Sequence, residues 1–472
     1  MNTNDLLRNL PSIQEIADHP TVKSVTDKLN RSEGFARVRN AVEQVRDEAL
    51  KRKDQLQHLT AGDLLDRVAR RLAPTPRRRE ASTVVNATGR LWGNGWSTPM
   101  AEPAVQRLAT TADDYARRSQ AEGAEETLTR LAGAERALVT GRRESALWLA
   151  LKALHNGRGV AVARGDLGEL SPGLRVTDVC QTAGAVLHEV GATNACTTED
   201  YRGALANAAG ALRLASDERE SPDAGARPTI AELAAVAHDQ GAWLLVDLAG
   251  GPLIDPSEAD GVARESAHAA LQAGADLVLL SGDGLVAGPE CGLLLGRKEL
   301  LDRVASLVEA SLCRLDARSE AALVAALALL DSPDRLAYTH PVYQLLSAPL
   351  ENLRTRAERL APQLAESSLV ASAEAVEIAP SGSPMPGSAV TLPSWGVSLT
   401  PAGESIEPVE RALRSGAAEI HGRTMADGAL LLDLRTVLPH QDLLLVGALP
   451  PAKSSENGTA AGSEAGTEAA AG

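Results

Sequence analysis

The 472-residue chain has very few aromatic residues and no long apolar run. Phe, Trp and Tyr make up 2% of it, so Ala, Leu and Val must fill the core of a chain that is 44% hydrophobic. No apolar run approaches the roughly 18 to 20 residues that a membrane-spanning helix needs. The opening MNTNDLLRNL lacks the basic start and apolar block of a secretory signal peptide. These absences predict a cytoplasmic protein without membrane contact.

Cysteine is also scarce. The residues Cys180, Cys196, Cys291 and Cys313 have no metal-type spacing, so we expect buried thiols and no metal site. The length is sufficient for two or three domains with a large core.

The net charge of −15 is unevenly distributed. Residues 1–80 hold 16 Lys and Arg against 12 Asp and Glu, a net charge of +4, and the remainder carries −19. A basic arm on an acidic body is compatible with contact between the arm and a polyanion. Solvated helix faces explain the same composition, and the sequence leaves both interpretations open.

Apolar spacing divides the chain into segments. Residues 1–75 show helical spacing, and a linker with the run Arg77-Arg78-Arg79 follows. From residue 450 the chain consists mainly of Ala, Gly, Ser, Thr and Glu, which predicts a disordered tail at 450–472.

The most informative segment is 275–301, ADLVLLSGDGLVAGPECGLLLGRKELL. Short apolar runs at 276–280 and 291–295 predict buried strands, and a helix is expected to open at 297–299. Between the strands lies a polar turn, Ser281-Gly-Asp-Gly284. A loop of Ser, Gly and Asp between buried strands is typical of a ligand site.

Two further positions suit a ligand. Residues 242–246 predict a buried strand that ends at Asp247, and the carboxyl ends of parallel strands are where α/β sheets bind ligands. A helix cap or turn residue is the alternative for Asp247. The turn from Thr140 to Ser145 opens a helix, where free N–H groups and the helix dipole favour a phosphate. Glu144 opposes a phosphate, and an ordinary helix start remains the alternative.

Several motifs together resemble the bacterial selenocysteine synthase family, the L-seryl-tRNA(Sec) selenium transferases. They are the SGDxLxxGP segment, TVVNATG at 83–89, RGDL at 164–167 and the segment 427–439. The resemblance covers about residues 10–450. It implies an α/β protein of the PLP-dependent transferase fold type I, where PLP is pyridoxal 5'-phosphate. The expected domains are a helical N-terminal domain (1–75), a large domain with a mostly parallel sheet (80–340) and a small C-terminal α+β domain (341–449).

The resemblance implies PLP as cofactor and a set of cofactor contacts. Asp247 takes the position that pairs with the pyridine nitrogen, and this pairing makes the ring an electron sink. Ser145, Ser281 and Asp283 are the other candidate cofactor-binding residues. The resemblance also implies a homo-oligomer, and tRNA binding through the N-terminal domain.

Arg314 and Arg435 are the candidate substrate-binding residues. Arg314 keeps an arginine of the family's segment around 311–317, and Arg435 could hold a substrate carboxylate in a bidentate fork. A structural ion pair is an equal alternative for Arg435. Residues 340–358 resemble the family's long helix between the two larger domains.

The chain departs from the family pattern where the chemistry is done. The family's Schiff-base lysine is replaced by Gly284, so no catalytic residue is assigned. Basic residues of the family are replaced at Ser97, Ser311 and Ala317. Residues 212–228 predict a surface loop in place of a strand that ends in His-x-Ser-Asn. No substitute amine is well placed among the seven lysines, Lys23, Lys28, Lys51, Lys53, Lys152, Lys298 and Lys453.

Three hypotheses follow from these departures. The chain is an active PLP-dependent selenium transferase, a non-catalytic relative that keeps the fold, or an altered enzyme or sensor. In the third case it binds PLP or another phosphorylated ligand without a Schiff base. The loss of the lysine favours the non-catalytic relative, with the third hypothesis as the alternative.

Overall fold

A computed structural model describes residues 39, 83–91, 96–112, 122–214, 227–255, 265–379, 392–416 and 418–451. The chain divides into two units, 1–82 and 83–472. The predicted helical domain at 1–75, apart from residue 39 in a helix, lies outside the described residues. So does the predicted tail beyond residue 451.

The described part of the second unit alternates strands and helices. The strands are β1 (Val84–Asn86), β2 (Arg136–Thr140), β3 (Val160–Ala163), β4 (Glu169–Ser171), β5 (Leu174–Arg175), β6 (Leu187–Val190), β7 (Gly210–Leu214), β8 (Trp243–Asp247), β9 (Leu277–Ser281), β10 (Gly292–Gly296), β11 (Val370–Ile378), β12 (Ser394–Pro401), β13 (Glu419–His421), β14 (Arg423–Thr424) and β15 (Leu430–Asp433). The α-helices are α1 (Glu102–Ala112), α2 (Glu122–Ala132), α3 (Arg143–Leu154), α4 (Val176–Ala183), α5 (Thr198–Leu205), α6 (Ile230–Asp239), α7 (Ala267–Gln272), α8 (Lys298–Ala305), α9 (Val308–Leu312), α10 (Ala317–Leu327), α11 (Leu336–Thr339), α12 (Pro341–Leu346), α13 (Leu350–Ala365), α14 (Glu407–Ser415) and α15 (Asp442–Gly447).

The larger sheet has the strand order β2-β10-β9-β8-β7-β3-β6. Strand β10 runs antiparallel to its two neighbours, and the other pairs are parallel. Gly292 on β10 lies opposite both Thr140 on β2 and Ser281 on β9. The ends of β2 and β9 therefore lie level at one edge of the sheet, and the predicted mostly parallel α/β sheet is confirmed.

Each face of this sheet carries its own apolar core. On β8, Leu245 packs into one core, whereas Leu244 and Val246 pack into the other. The alternation follows from the two-residue period of a strand. Because the strand is buried on both faces, it is apolar throughout until it reaches Asp247.

A smaller antiparallel sheet, β11-β12-β15-β14, packs against α13. Its core includes Val85 and Ala87 from the start of the second unit, where β1 pairs in parallel with β13. The side chains of Val342 and Leu346 on α12 pack instead into a core of the larger sheet. The predicted domain boundaries remain predictions.

The predicted strand–loop–strand–helix at 275–301 is confirmed, with each end within about one residue of β9, β10 and α8. The predicted surface loop at 212–228 is wrong at its start. Strand β7 continues through Leu214, because its residues pair with β3 and β8 inside the sheet. Residues 215–226 lie outside the described residues.

The predicted continuous helix at 340–358 is also wrong. It is divided into α12 and α13, with Pro349 at the start of the second helix. Proline has no N–H to donate to a preceding turn, and it disfavours helical backbone in the residue before it. The helix therefore stops before Pro349 and starts again after it.

Of the cysteines, Cys180, Cys196 and Cys291 are buried and Cys313 is partly exposed. None of the helices in the described ranges is long and apolar enough to cross a membrane.

Candidate functional site

A cavity of about 380 Å³ opens at the edge of the larger sheet where β2, β8 and β9 end. It is lined by residues 96–98, 142–144, 169–172 and 249–250, and by residues 281, 283, 284 and 290. The carboxyl ends of strands meet here, which is the usual location of a ligand site in an α/β sheet.

Asp247 lies at the back of this region, 1% exposed, and its carboxylate is already paired. The Arg143 guanidinium donates to its Oδ2 at 2.7 Å, and the Ala249 N–H donates to its Oδ1 at 2.9 Å. The same guanidinium donates to the Leu170 carbonyl at 2.8 Å. Each oxygen of the Asp247 carboxylate thus already accepts a hydrogen bond from the chain itself.

The turn before α3, which was predicted as a possible phosphate site, is filled by its own ion pairs. Arg142 lies 2.7 Å from Glu290 and 3.6 Å from Glu144. Glu144 sits in the first turn of α3, where the helix dipole favours a negative charge. The first turn therefore holds a carboxylate of the chain itself, and both arginines face carboxylates.

Gly284 lies where the family's lysine is expected, and it is tightly enclosed. Its φ of +67° falls in the left-handed region, and an added Cβ would lie 2.4 Å from the Gly250 carbonyl oxygen. Its N–H donates to the Thr98 hydroxyl at 2.7 Å. The backbone as it stands has no room for a side chain at this position.

Ser281 and Asp283 line the cavity beside Gly284. Ser281 is 8% exposed, and its hydroxyl has no hydrogen-bond partner among the described residues. Asp283 has no ion pair among them either. Burial, and next the charge of Asp283, raise the pKa of the buried Cys291 thiol. The cavity thus contains a free hydroxyl and a free carboxylate.

Two other predicted site residues do not line the cavity. Ser145 lies in the first turn of α3, and Arg314 lies opposite Thr140 in an isolated bridge. Burial raises the pKa of Glu125, and the positive charges of Arg136 and Arg314 oppose that shift. The structure therefore places Arg314 beside an internal carboxylate, and its predicted substrate contact stays a prediction.

Arg435 is 5% exposed and is held by backbone carbonyls. Its guanidinium donates to the carbonyls of Leu346 and Ala348 at 3.2 and 2.8 Å, more weakly to that of Leu345, and to that of Pro393. Carbonyls at a helix end have no partner within the helix, and a cation there is favourable. Burial lowers the pKa of the guanidinium. Arg435 thus ties the end of α12 to the smaller sheet, outside the cavity.

The sequence analysis did not identify several residues that line the cavity, among them Trp96, Glu169 and Glu290. Trp96 follows the TVVNATG segment closely, and that position was a usable signal. Glu169 lies on the β4–β5 hairpin and Glu290 in the loop before β10, where an exposed glutamate gives no local sign of function.

A family model described as L-seryl-tRNA selenium transferase matches residues 101–438. The L-seryl-tRNA(Sec) selenium transferase of Geobacter sulfurreducens is 31% identical over 465 residues, which cover 94% of this chain and 98% of that protein. The enzyme of the same description from Rhizobium meliloti is 37% identical over 325 residues, covering 68% and 69% of the two chains.

Among solved structures, that of a D-glucosaminate-6-phosphate ammonia-lyase matches with a TM-score of 0.57. It is 21% identical, and the match covers 78% of this chain and 95% of that one. This likeness concerns the fold alone, and it confirms the predicted PLP-dependent transferase fold type I. From the family model and the relatives of nearly full length, the chain belongs to the L-seryl-tRNA(Sec) selenium transferase family.

Proposed function

We propose that this chain is a non-catalytic member of the selenium transferase family, which keeps the scaffold and acts by binding. The observation that carries the proposal is the enclosure of Gly284. PLP chemistry on an amino acid needs an amine to hold the cofactor aldehyde, a carboxylate on the ring nitrogen and an anion site for the phosphate. When bound, PLP supplies the electron sink for such reactions.

The amine is missing from its expected position. A side chain at Gly284 would collide with the Gly250 backbone, which cannot rotate away. Of the seven lysines, Lys152 and Lys298 lie in the described ranges. Lys152 lies 3.2 Å from Glu309 and Lys298 lies 2.6 Å from Asp302, and neither lines the cavity. These observations do not fit PLP held through a lysine of the described residues.

The other two requirements are met poorly. The Asp247 carboxylate forms an ion pair with the Arg143 guanidinium, and the Glu144 carboxylate lies in the first turn of α3. A pyridinium would have to share the Asp247 carboxylate with Arg143, and a phosphate would approach the Glu144 carboxylate at a cost in repulsion. We therefore expect this chain to catalyse no PLP-dependent reaction.

The absence of covalent PLP is directly testable. We expect the purified full-length chain, mixed with PLP, to show no visible aldimine absorbance and no pyridoxyl-lysine after borohydride reduction and peptide mass spectrometry. A Geobacter sulfurreducens relative treated in parallel is the positive control. A pyridoxyl-lysine at one site of this chain, in stoichiometric yield, would overturn the proposal.

The same samples distinguish a chain that does not bind PLP from the alternative, a chain that binds PLP without a Schiff base. If the chain binds PLP without a Schiff base, PLP should raise its melting temperature in a concentration-dependent way while borohydride traps nothing. We expect no such rise, because Glu144 places a negative charge in the helix turn that was predicted to hold the phosphate, and because both arginines are paired.

We also propose that the chain binds tRNA and forms a homo-oligomer. The relatives' names specify a seryl-tRNA, and residues 1–80 carry a net charge of +4 that includes the run Arg77-Arg78-Arg79. A basic arm of this kind contacts phosphates and releases counterions, so its affinity falls with salt.

A salt titration tests the tRNA contact. We expect binding of unfractionated tRNA to weaken as salt rises. Replacing Arg77, Arg78 and Arg79 by Gln should reduce the slope of log K against log salt by up to about 2 to 3, since each phosphate contact contributes about 0.7 to 0.9. Arg354→Gln, an exposed arginine on α13, is the control. An unchanged slope in the triple variant would contradict a role for this run.

A further inference from the structure

We propose that the cavity binds a small organic cation, such as a primary amine or a guanidinium compound, rather than a phosphorylated ligand. The cavity brings together the carboxylate of Asp283, the hydroxyl of Ser281 and the ring of Trp96, and neither the carboxylate nor the hydroxyl has a partner among the described residues. This inference rests on the proposed absence of a covalently held PLP.

Among the described residues, the charged side chains that line the cavity are mostly negative. Its lining includes Glu144, Glu169, Asp283 and Glu290 against Arg142 and Arg143. Arg143 is matched by Asp247 behind the wall, and Arg142 by Glu290 on the rim. The lining therefore has an excess of carboxylates, and an occupant with a positive charge is favoured.

Ser281 supplies an observation independent of the charges. It sits at the end of β9, 8% exposed, and its hydroxyl faces the cavity without a partner in the described part of the chain. A hydroxyl that is open to a cavity and has no partner within the chain can accept a hydrogen bond from an occupant. An N–H donor in the cavity would satisfy Ser281 and Asp283 together.

Trp96 supplies an aromatic wall. Its ring centroid lies 4.6 Å from that of His421, and burial lowers the pKa of this histidine. The lowered pKa disfavours a positive charge on the imidazole beside the indole. Tryptophan is the best aromatic partner for an organic cation.

The same geometry disfavours other occupants. A phosphate would meet Glu144 at the helix end and would have to break the pairs of both arginines. For a metal ion, the described residues contain no group of three or more His, Cys, Asp or Glu that could hold one. A cavity of about 380 Å³ is at the small end of ligand pockets, which suits a compact amine.

The test is a calorimetric titration of the full-length chain with putrescine in 150 mM NaCl. Its uncharged isostere, 1,4-butanediol, is the matched control ligand. We expect putrescine to bind in a saturable way and 1,4-butanediol, inorganic phosphate and Mg²⁺ not to bind. Asp283→Asn should weaken putrescine binding about tenfold or more, because it removes the charge and keeps the shape. The side chain makes no capping hydrogen bond, so this variant should fold normally.

Glu299→Gln, an exposed carboxylate on α8 that does not line the cavity, should bind putrescine like the parent chain. Ser281→Ala should weaken binding less than Asp283→Asn. Binding of phosphate or Mg²⁺ in place of putrescine would overturn the inference, as would putrescine binding that Asp283→Asn leaves unchanged. A borohydride-trapped pyridoxyl-lysine overturns the proposed function and this inference together. If putrescine does not bind and borohydride traps no pyridoxyl-lysine, this inference alone is overturned.

Discussion

Replacing Gly284 by alanine is expected to lower the free energy of unfolding by about 2 to 5 kcal/mol. Left-handed backbone costs a residue with a Cβ about 1 to 2 kcal/mol. Overpacking a closed site costs about 1 to 3 kcal/mol more. The second contribution applies because the new Cβ would lie 2.4 Å from the Gly250 carbonyl oxygen and 2.6 Å from the Gly250 Cα, neither of which is a rotatable side chain.

Two other glycines separate these contributions. Gly428 has a φ of +85° but nothing within 4 Å of an added Cβ, so Gly428→Ala should cost only the backbone part. Gly203, inside α5, has open space and a φ outside the left-handed region, so Gly203→Ala should be neutral or stabilising. Urea unfolding of the variants beside the parent gives the comparison.

Gly284→Lys extends the same experiment to function. We expect it to be at least as destabilising as Gly284→Ala and to form no borohydride-reducible adduct with PLP, because the site around the lysine has also changed. If Gly284→Ala lowers the free energy of unfolding no more than Gly428→Ala does, the backbone around Gly284 does not exclude a side chain. If Gly284→Lys gains a trapped pyridoxyl-lysine, the missing amine is the one defect of the site.

The strands and the helix around Gly284 could be predicted from the sequence because the patterns that indicate them are local. Each strand of 275–301 is a short apolar run bounded by Gly or a charged residue, and β9, β10 and α8 follow those limits. The position of Asp247 at the end of β8 follows in the same way. The family resemblance then added the mostly parallel sheet, which no local pattern determines.

The interior of the site was not predictable in this way. The pairing of Arg143 with Asp247 joins residues 104 positions apart, and nothing near either residue indicates it. The sequence analysis instead treated the turn that carries both arginines, residues 140–145, as a candidate phosphate site. The local sequence specifies that a charge is present, whereas the fold decides which opposite charge it meets.

The division of the predicted helix at 340–358 had a local signal that the family resemblance outweighed. Pro349 removes the N–H that a continuous helix needs. The end of α12 then leaves carbonyl groups that need donors, and Arg435 supplies them from a distant strand end. The proline and the buried arginine are thus parts of one arrangement, which yields the second large expected effect.

Arg435→Ala is expected to lower the free energy of unfolding by about 3 to 5 kcal/mol. The change leaves the carbonyls of Leu346, Ala348 and Pro393 without their donor, and each buried unpaired group costs about 1 to 3 kcal/mol. Arg435→Lys should recover only part of the loss, because an ammonium cannot reproduce the planar fork that spans these carbonyls. Arg414→Ala, in an exposed i,i+4 pair on α14, should change stability by at most about 0.5 kcal/mol.

The loss in Arg435→Ala should also depend on pH. Asp433 is 6% exposed, burial raises its pKa, and the charges of Arg423 and Arg435 oppose that rise. Without Arg435 the folded-state pKa of Asp433 rises further above its unfolded value. A raised pKa gives stability that is complete below the unfolded pKa and is lost as pH rises through the folded one. The variant should therefore lose less stability, relative to the parent, at pH 5 than at pH 8.

Urea midpoints at the two pH values measure this difference, with Asp433→Asn in the Arg435→Ala background as the control. The double variant is compared with Asp433→Asn alone. Neither chain of that pair has the carboxyl, so the loss caused by Arg435→Ala should lack the part of the pH dependence that Asp433 contributes. An Arg435→Ala loss that is equal at both pH values would mean that Arg435 acts through the α12 carbonyls alone. A loss below about 1 kcal/mol would contradict the structural role altogether, and it would return Arg435 to its predicted place among the substrate contacts.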